Sequence, residues 1–272
     1  MLFVVSSRSL PNLEKLSILA ATILLAYTLA RQVDLPPQQI NLQFPGFFFQ
    51  LVINAHTITA LLVAGLTATG IDWLLREHPR LESSGTYEHW LVPALTALVL
   101  GLPLFDLPIN LTWWLGLGLG GGVLVLVIVA EYIVVDPDDV REPLAASGLT
   151  AVSYALFLAL LVALRYEDLR LFQFIPAVAI GTWLVSLRTL KLQLNRWVII
   201  ESGIIALLIS QWAAALHYWP LSPVAYALVI LGPTYTLTRL TGELIEHKPV
   251  RQVILEPMLV LGLIWLAALW LG

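Results

Sequence analysis

The feature that most constrains this chain is a succession of long apolar runs that leaves little room for a water-facing surface. An α-helix needs about 20 apolar residues to cross the hydrocarbon core of a bilayer. Only 12% of the 272 residues are charged, about half the share found in a typical soluble domain. A spanning helix also satisfies its own backbone hydrogen bonds, as lipid requires. The sequence therefore predicts an all-α, polytopic integral membrane protein.

Nine runs are long enough to be membrane spans, and together they predict a single transmembrane domain over residues 1–272. They lie near residues 13–30, 50–75, 89–105, 112–135, 144–164, 170–190, 198–216, 221–240 and 253–271. The run at 89–105 is short and contains Pro93 and Pro103. An alternative is therefore that 89–105 and 112–135 form one re-entrant hairpin and one span.

The lysine and arginine positions predict the orientation of the bundle, because these residues concentrate in cytoplasmic loops. With the N-terminus in the cytoplasm, 11 of the 14 basic residues lie in cytoplasmic segments. The outer segments then hold only Arg31, Arg165 and Arg170. We therefore expect a cytoplasmic N-terminus and an extracytoplasmic C-terminus, in a cell membrane of the bacterial inner-membrane type.

Composition also excludes several classes of function. The chain has no cysteine, which excludes disulfides, thiolate catalysis and cysteine metal sites. It has no basic tract that would bind nucleic acid. The expected partners are membrane lipids, with a membrane protein partner or a second copy of the chain as further options. No motif identifies a cofactor, so the cofactor is unknown from sequence.

Ionisable side chains within the spans are the main candidates for a binding site, because each costs about 2.5–3.5 kcal/mol at the centre of a bilayer. Those placed near the cytoplasmic ends of their spans are Asp72, Glu131, Arg188, Glu201, Arg239 and Glu256. Glu201 is flanked by apolar residues on both sides. Their similar depth predicts a polar layer or cavity that binds a cation, a proton or a headgroup. The alternative is that each group pairs structurally or reaches the surface.

The eighth span contains Pro233, Thr234 and Tyr235. Proline cannot donate a helical hydrogen bond. We therefore expect the helix to break here, so that Tyr235, Thr234 and freed carbonyls could coordinate a solute.

Polar groups also lie towards the outer ends of two spans. Asn54 and His56 belong to the second span, and Gln211 and His217 lie at a similar depth in the seventh. Such groups usually form hydrogen bonds between helices. The alternative is a haem or metal held by His56 and His217.

Three further segments carry local predictions. The loop 31–49 is expected to be structured, with Phe47–Phe49 in the outer interface, and 241–256 to be an interfacial helix. Asp136–Asp139 is expected to cap helix ends, with a magnesium diphosphate site as the alternative. Glycines at 116/120 and 118/122 predict close helix packing.

Taken together, these patterns favour binding or transport of a small solute or lipid through a polar layer near the cytoplasmic side. Two alternatives stay open. One is a non-catalytic structural subunit of a membrane complex, associated with pigment or lipid. The other is a membrane enzyme that acts on a lipid-linked or diphosphate substrate at the inner face. An enzyme is the less favoured class, because no catalytic motif is present.

Overall fold

The chain folds into two compact units. A computed structural model describes residues 11–32, 38–44, 47–53, 55–78, 81, 86–167 and 169–272. Unit 1 comprises Met1–Ala145 and unit 2 comprises Ala146–Gly272. In the described residues, the secondary structure is helical apart from one short hairpin. The single transmembrane domain stays a prediction.

Unit 1 contains four long helices. These are α1 (Leu13–Ala30), α2 (Ala55–Leu75), α3 (Leu91–Asp106) and α4 (Leu111–Val134), with a 3-10 turn at Thr86–His89. Each of α1 and α3 packs against both α2 and α4, so the four helices form a closed ring. The core between them is apolar, with Ile23, Ile71 and Ile128 fully buried.

The glycines of α4 allow close packing on one side of the helix. A Cβ atom at Gly121 would lie 2.9 Å from Leu24 of α1, and one at Gly120 would lie 3.2 Å from Leu100 of α3. No described atom lies within 4 Å of such a Cβ at Gly118 or Gly122. Of the two predicted pairs, the 116/120 row therefore meets a neighbouring helix, and the 118/122 row does not meet one in the described part of the chain.

A short antiparallel hairpin joins α1 to α2. Its strands are β1 (Gln38–Phe44) and β2 (Phe47–Ile53), paired from Gln38–Ile53 to Phe44–Phe47. The prediction of a helical span from residue 50 was therefore wrong over 50–53. The run FFFQLVI is aromatic and β-branched, and a short apolar run of this kind does not distinguish a strand from the start of a span.

Unit 2 is formed by the last five long helices and one short one. They are α5 (Glu142–Tyr166), α6 (Leu171–Leu194), α7 (Ile199–Leu216), α8 (Pro223–Ile245), α9 (Val250–Val253) and α10 (Leu255–Leu271). The first turn of α5 belongs to unit 1. α6 packs on α7, and α8 packs on α10. Phe174, Tyr226 and Ile230 are fully buried at the centre.

Helix α8 is continuous through Pro233, so the predicted break was wrong. Pro233 has no N–H for the carbonyl of Val229, four residues earlier. That carbonyl instead accepts a hydrogen bond from Trp265 Nε1 of α10, at 3.4 Å. Thr234 donates its hydroxyl to the Ile230 carbonyl at 2.8 Å. The Val229 carbonyl that Pro233 leaves without a helical partner is thus hydrogen-bonded to α10 and is not available to a solute.

Seven helices of the described chain are long and apolar enough to cross a membrane, which makes this a multi-pass membrane protein. They are 13–30, 58–75, 111–134, 142–166, 171–194, 199–216 and 250–271. Helix α3 has only 16 residues, a length of about 24 Å against a core of about 30 Å. The count of nine spans and the orientation stay predictions. The predicted interfacial helix over 241–256 was wrong, because α8 extends to Ile245 and only α9 lies between it and α10.

Candidate functional site

A polar cavity of about 360 Å³ lies at one end of unit 2. Helices α5 and α10 begin at this end, and α6 and α8 finish there, so each contributes side chains from its terminal turns. We call it the polar cavity; it is lined by Ala146, Ser147, Thr150, Tyr154, Thr189, Leu192, Gln193, Tyr235, Arg239 and Glu256. Tyr235, Arg239 and Glu256 were among the residues predicted from the sequence. The volume falls in the range of small-molecule sites.

Arg239 is the cationic group of the polar cavity and has two carboxylate partners of unequal strength. Its guanidinium lies 3.1 Å from Glu243 Oε1 and 3.7 Å from Glu256 Oε2. The Glu243 side chain is 8% exposed, whereas that of Glu256 is 60% exposed. An exposed ion pair contributes little, about 0–1 kcal/mol. Arg239 is therefore held by Glu243, while Glu256 can give way to a ligand.

The buried carboxylate behind Arg239 belongs to a wider charge cluster. Lys248 Nζ lies 2.5 Å from Glu243 Oε2 and 2.7 Å from Glu246 Oε2. The hydrogen bond to Glu243 raises the pKa of Lys248, and the hydrogen bond from Lys248 lowers the pKa of Glu246. Lys248 therefore stays charged at neutral pH and links the two carboxylates at the end of α8.

Tyrosine and threonine side chains complete the walls of the polar cavity. Tyr235 donates a hydrogen bond to Glu256 Oε1 at 3.2 Å. The rings of Tyr235 and Tyr154 meet edge to face, with their centroids 5.4 Å apart. Thr189 is buried, and its hydroxyl lies within reach of the Tyr154 hydroxyl. The two hydroxyls form a polar patch on the wall of the cavity to which a ligand can hydrogen-bond.

A stripe of polar residues runs along α6 away from the polar cavity. Thr182, Ser186, Thr189 and Gln193 recur at intervals of four, three and four residues, which places them on one helical face. Thr182 and Ser186 are fully buried. The Ser186 hydroxyl lies 3.0 Å from the Thr238 hydroxyl of α8. Polar groups therefore continue from the cavity into the interior of the unit, between α6 and α8.

Three other predicted residues of unit 2 lie elsewhere. Glu201 is exposed in the first turn of α7, where the helix N-terminus favours a carboxylate. Gln211 is also exposed on α7. Arg188 is buried on α6 but does not line the polar cavity. The structure thus brings together the α8 and α10 members of the predicted layer.

Two of the predicted residues of unit 1, Glu131 and Asp72, belong to a second polar cluster around the 3-10 turn. Glu131 is fully buried, and its Oε2 lies 2.8 Å from Nδ1 of the buried His89. Asp72 accepts hydrogen bonds from Thr86 and from Arg76, the latter at 2.8 Å. The 3-10 turn places Thr86 beside α2 and His89 beside α4.

Sequence reasoning missed the two histidines of this cluster. His89 pairs with Glu131, and the buried His78 meets the Tyr132 ring at 4.6 Å. The signal was available: a carboxylate inside a span requires a partner, and the loop at the same predicted end carries both histidines. In the part of the chain that the structure describes, no group of three or more potential ligands could hold a metal.

The remaining predicted site residues cannot be placed. Asn54 lies outside the described residues, and so does the side chain of His56, although its backbone begins α2. The haem or metal alternative with His217 depends on His56 and stays a prediction.

The polar cavity of unit 2 and the polar cluster of unit 1 both lie within the part of the chain that matches a family model. The family model "Protein of unknown function (DUF5656)" matches residues 35–271. The chain belongs to the DUF5656 family. No curated protein and no solved structure matches it. The function of this DUF5656 protein must therefore be argued from its own geometry.

The acidic turn of this DUF5656 protein is engaged in local structure. Asp139 accepts hydrogen bonds from the Arg141 backbone at 2.8 Å and from its guanidinium at 2.7 Å. Asp136 accepts from the backbone N–H of Asp138 at 3.0 Å. The bond to Asp139 also raises the pKa of Arg141. These contacts fit the capping role predicted from sequence, and they occupy a carboxylate that the diphosphate alternative needs.

Replacing Asp139 with asparagine should weaken this turn by about 1 kcal/mol, because the cap and the partly exposed ion pair are both reduced. Thermal unfolding in detergent measures the effect. Glu167→Gln, at an exposed site just after α5, is the matched control and should not lower the stability, because a carboxylate is not favoured at a helix C-terminus. If added magnesium stabilised the wild type but not Asp139→Asn, the capping account would be wrong.

Proposed function

We propose that this protein binds a small polar solute or a lipid headgroup in the polar cavity of unit 2 and moves it across the membrane. One observation carries the proposal: Arg239 is fixed by the buried Glu243 yet faces the cavity, opposite the exposed Glu256. Arg239 is thus already positioned to bind an anionic group, and the ligand has to replace only its weak ion pair with Glu256.

The lining defines the class of ligand. Arg239 selects a phosphate or carboxylate, and the hydroxyls of Tyr235 and Thr189, with the Gln193 amide, suit hydroxyl or amino groups on the same molecule. A volume of about 360 Å³ equals that of roughly a dozen water molecules, which is enough for a small organic anion. The ligand is therefore a compact anion with hydrogen-bonding substituents, either free or as the headgroup of a lipid.

Movement across the membrane is supported by the polar stripe on α6. Ser186 is fully buried and linked to Thr238, and Thr182, one turn farther from the cavity, has a buried hydroxyl with no hydrogen-bond partner in the described residues. A ligand that leaves the cavity between α6 and α8 would exchange hydrogen bonds with these groups, which lowers the cost of entering the bilayer core.

Two opposite substitutions test the binding site. Glycerol 3-phosphate and phosphatidylglycerol serve as probes, since both carry a phosphate and hydroxyl groups and only the second is a lipid. Arg239→Gln should weaken binding of the preferred probe about tenfold or more, because a charge-assisted hydrogen bond contributes about 1.5–3 kcal/mol. Glu256→Gln should tighten binding severalfold, because it removes the carboxylate that competes for Arg239.

Equilibrium binding to the purified full-length protein gives the readout. Arg251→Gln, at an exposed arginine on α9, is the charge-matched control and should bind as the wild type does. Failure of both probes to bind the wild type would reject the ligand class. Equal binding by Arg239→Gln and the control would reject the polar cavity as the site.

A further inference from the structure

A larger cavity lies at the opposite end of unit 2 from the polar cavity. It has a volume of about 1120 Å³ and lies between the end of α5, the start of α6 and the end of α7. We call it the basic cavity, because Arg165 and Arg170 are its charged lining residues and no acidic side chain lines it in the described part of the chain. A site with this charge favours an anion.

The two arginines are held differently. Arg165 donates hydrogen bonds to the carbonyls of His217 at 2.7 Å and Trp219 at 3.1 Å, and its guanidinium lies 5.0 Å from the Tyr226 ring centroid. These neutral partners fix its position without cancelling its charge. Arg170 is exposed at the start of α6 and lines the basic cavity. Its long side chain can turn towards a group that enters the cavity.

His217 adds an unsatisfied polar group. It is 7% exposed and lines the basic cavity. Its ring contacts Phe174 and Tyr218, with centroids 4.9 and 4.8 Å away. Its Nδ1 atom is buried and has no hydrogen-bond partner among the described residues. Buried polar atoms are usually paired, so this nitrogen is a second place for a ligand's polar group.

The remaining surface of the basic cavity is apolar. Phe174, Ile175 and Pro176 lie about one turn or more along α6 from Arg170. Ala214 lies two residues before the end of α7. Charged groups at the mouth and an apolar floor towards the bilayer interior match an amphiphile, with its head at the membrane boundary and its chain directed inwards. A free anion would leave the floor unused.

We propose that the basic cavity binds one phospholipid of net negative charge, with its phosphate at Arg170 and Arg165 and the upper part of an acyl chain on the apolar floor. This site is separate from the polar cavity, and it does not depend on the function proposed there. Arginine matches phosphate oxygens in paired hydrogen bonds, so two arginines at the mouth of one cavity suit the phosphate of a lipid headgroup.

Native mass spectrometry of the full-length protein, taken from phosphatidylcholine vesicles with and without phosphatidylglycerol, tests the proposal. The wild type should retain one phosphatidylglycerol. Arg170→Gln should retain it about fivefold less tightly, as expected for loss of one basic contact at the membrane surface. Ala214→Trp, which fills the apolar floor without changing charge, should also reduce retention. Arg196→Gln, at an exposed arginine between α6 and α7, should retain the lipid as the wild type does.

Three results would overturn the proposal. Retention that is equal in the wild type, Arg170→Gln and Ala214→Trp would show that the lipid lies elsewhere. An equal loss in Arg196→Gln would show general attraction to the protein surface. Complete displacement of the lipid by glycerol 3-phosphate at matched concentration would show that the acyl chain contributes nothing.

Discussion

Replacing His89 with alanine should lower the free energy of unfolding of unit 1 by about 1–3 kcal/mol, the usual cost of leaving a buried polar group short of a hydrogen bond. Glu131 is fully buried and lies 2.8 Å from the imidazole. Removing the imidazole takes one hydrogen bond away from this buried carboxyl group, and a buried polar group with fewer hydrogen bonds is costly. Unfolding in detergent, followed by circular dichroism, measures the loss.

Two further variants measure how much of this loss comes from the contact between His89 and Glu131 itself. Glu131→Gln should cost less than His89→Ala, because an amide oxygen can still accept a hydrogen bond from the imidazole. The double variant His89→Ala/Glu131→Ala should be less destabilised than the sum of its single variants, by about 0.5–3 kcal/mol. A His89→Ala protein as stable as the wild type would show that the pair contributes nothing.

Replacing Gly232 with leucine should cost about 1–3 kcal/mol by overpacking and displace α10 from α8. A Cβ atom there would lie 2.8 Å from Leu261 Cδ1 and 3.3 Å from Trp265 Nε1. Trp265 also donates a hydrogen bond to the Val229 carbonyl, which has no helical partner because residue 233 is proline. Because α10 carries Glu256, the same change should disturb the polar cavity and weaken probe binding.

The control for Gly232 lies on the other helix of the same pair. At Gly262 of α10 no described atom lies within 4 Å of an added Cβ, so Gly262→Leu should be nearly neutral. Gly232→Ala should fall between the two, since the methyl of Leu261 can move aside. If both leucine variants were equally stable, close packing of α8 on α10 at this point would be wrong.

The sequence predicted the helices well because long apolar runs are a strong signal, but it located the strands and the site less well. Residues 50–53, the end of β2, were assigned to a span because a short apolar run has no distinguishing period. Glu201 looked enclosed because its neighbours along the chain are apolar. The start of this span was predicted to within one residue, but whether a side chain in the first turn faces a neighbouring helix depends on how the helices pack, which one sequence does not define.

The polar cavity could be predicted only in part. Tyr235 and Arg239 are four residues apart on α8, so their shared face follows from helical periodicity. Their meeting with Thr189 and Glu256 depends on how α6 and α10 pack, which one sequence does not define. The pairing of His89 with Glu131 likewise needs the turn before α3. Contacts within one helix are thus accessible from sequence, whereas contacts between helices are not.

The most direct test of the central claim uses the natural absence of cysteine in this chain. Ser147→Cys places one thiol in the polar cavity, and its reaction rate with a membrane-impermeant maleimide can be measured in phosphatidylcholine vesicles. Leu208→Cys, on the exposed apolar surface of α7, is the control and should not react.

We predict that the Ser147→Cys thiol reacts, and that glycerol 3-phosphate or phosphatidylglycerol slows the reaction severalfold. The protection should be lost when Arg239→Gln is added. A thiol that reacts at the same rate with and without both probes, or that does not react at all, would contradict the assignment of the polar cavity as a ligand site.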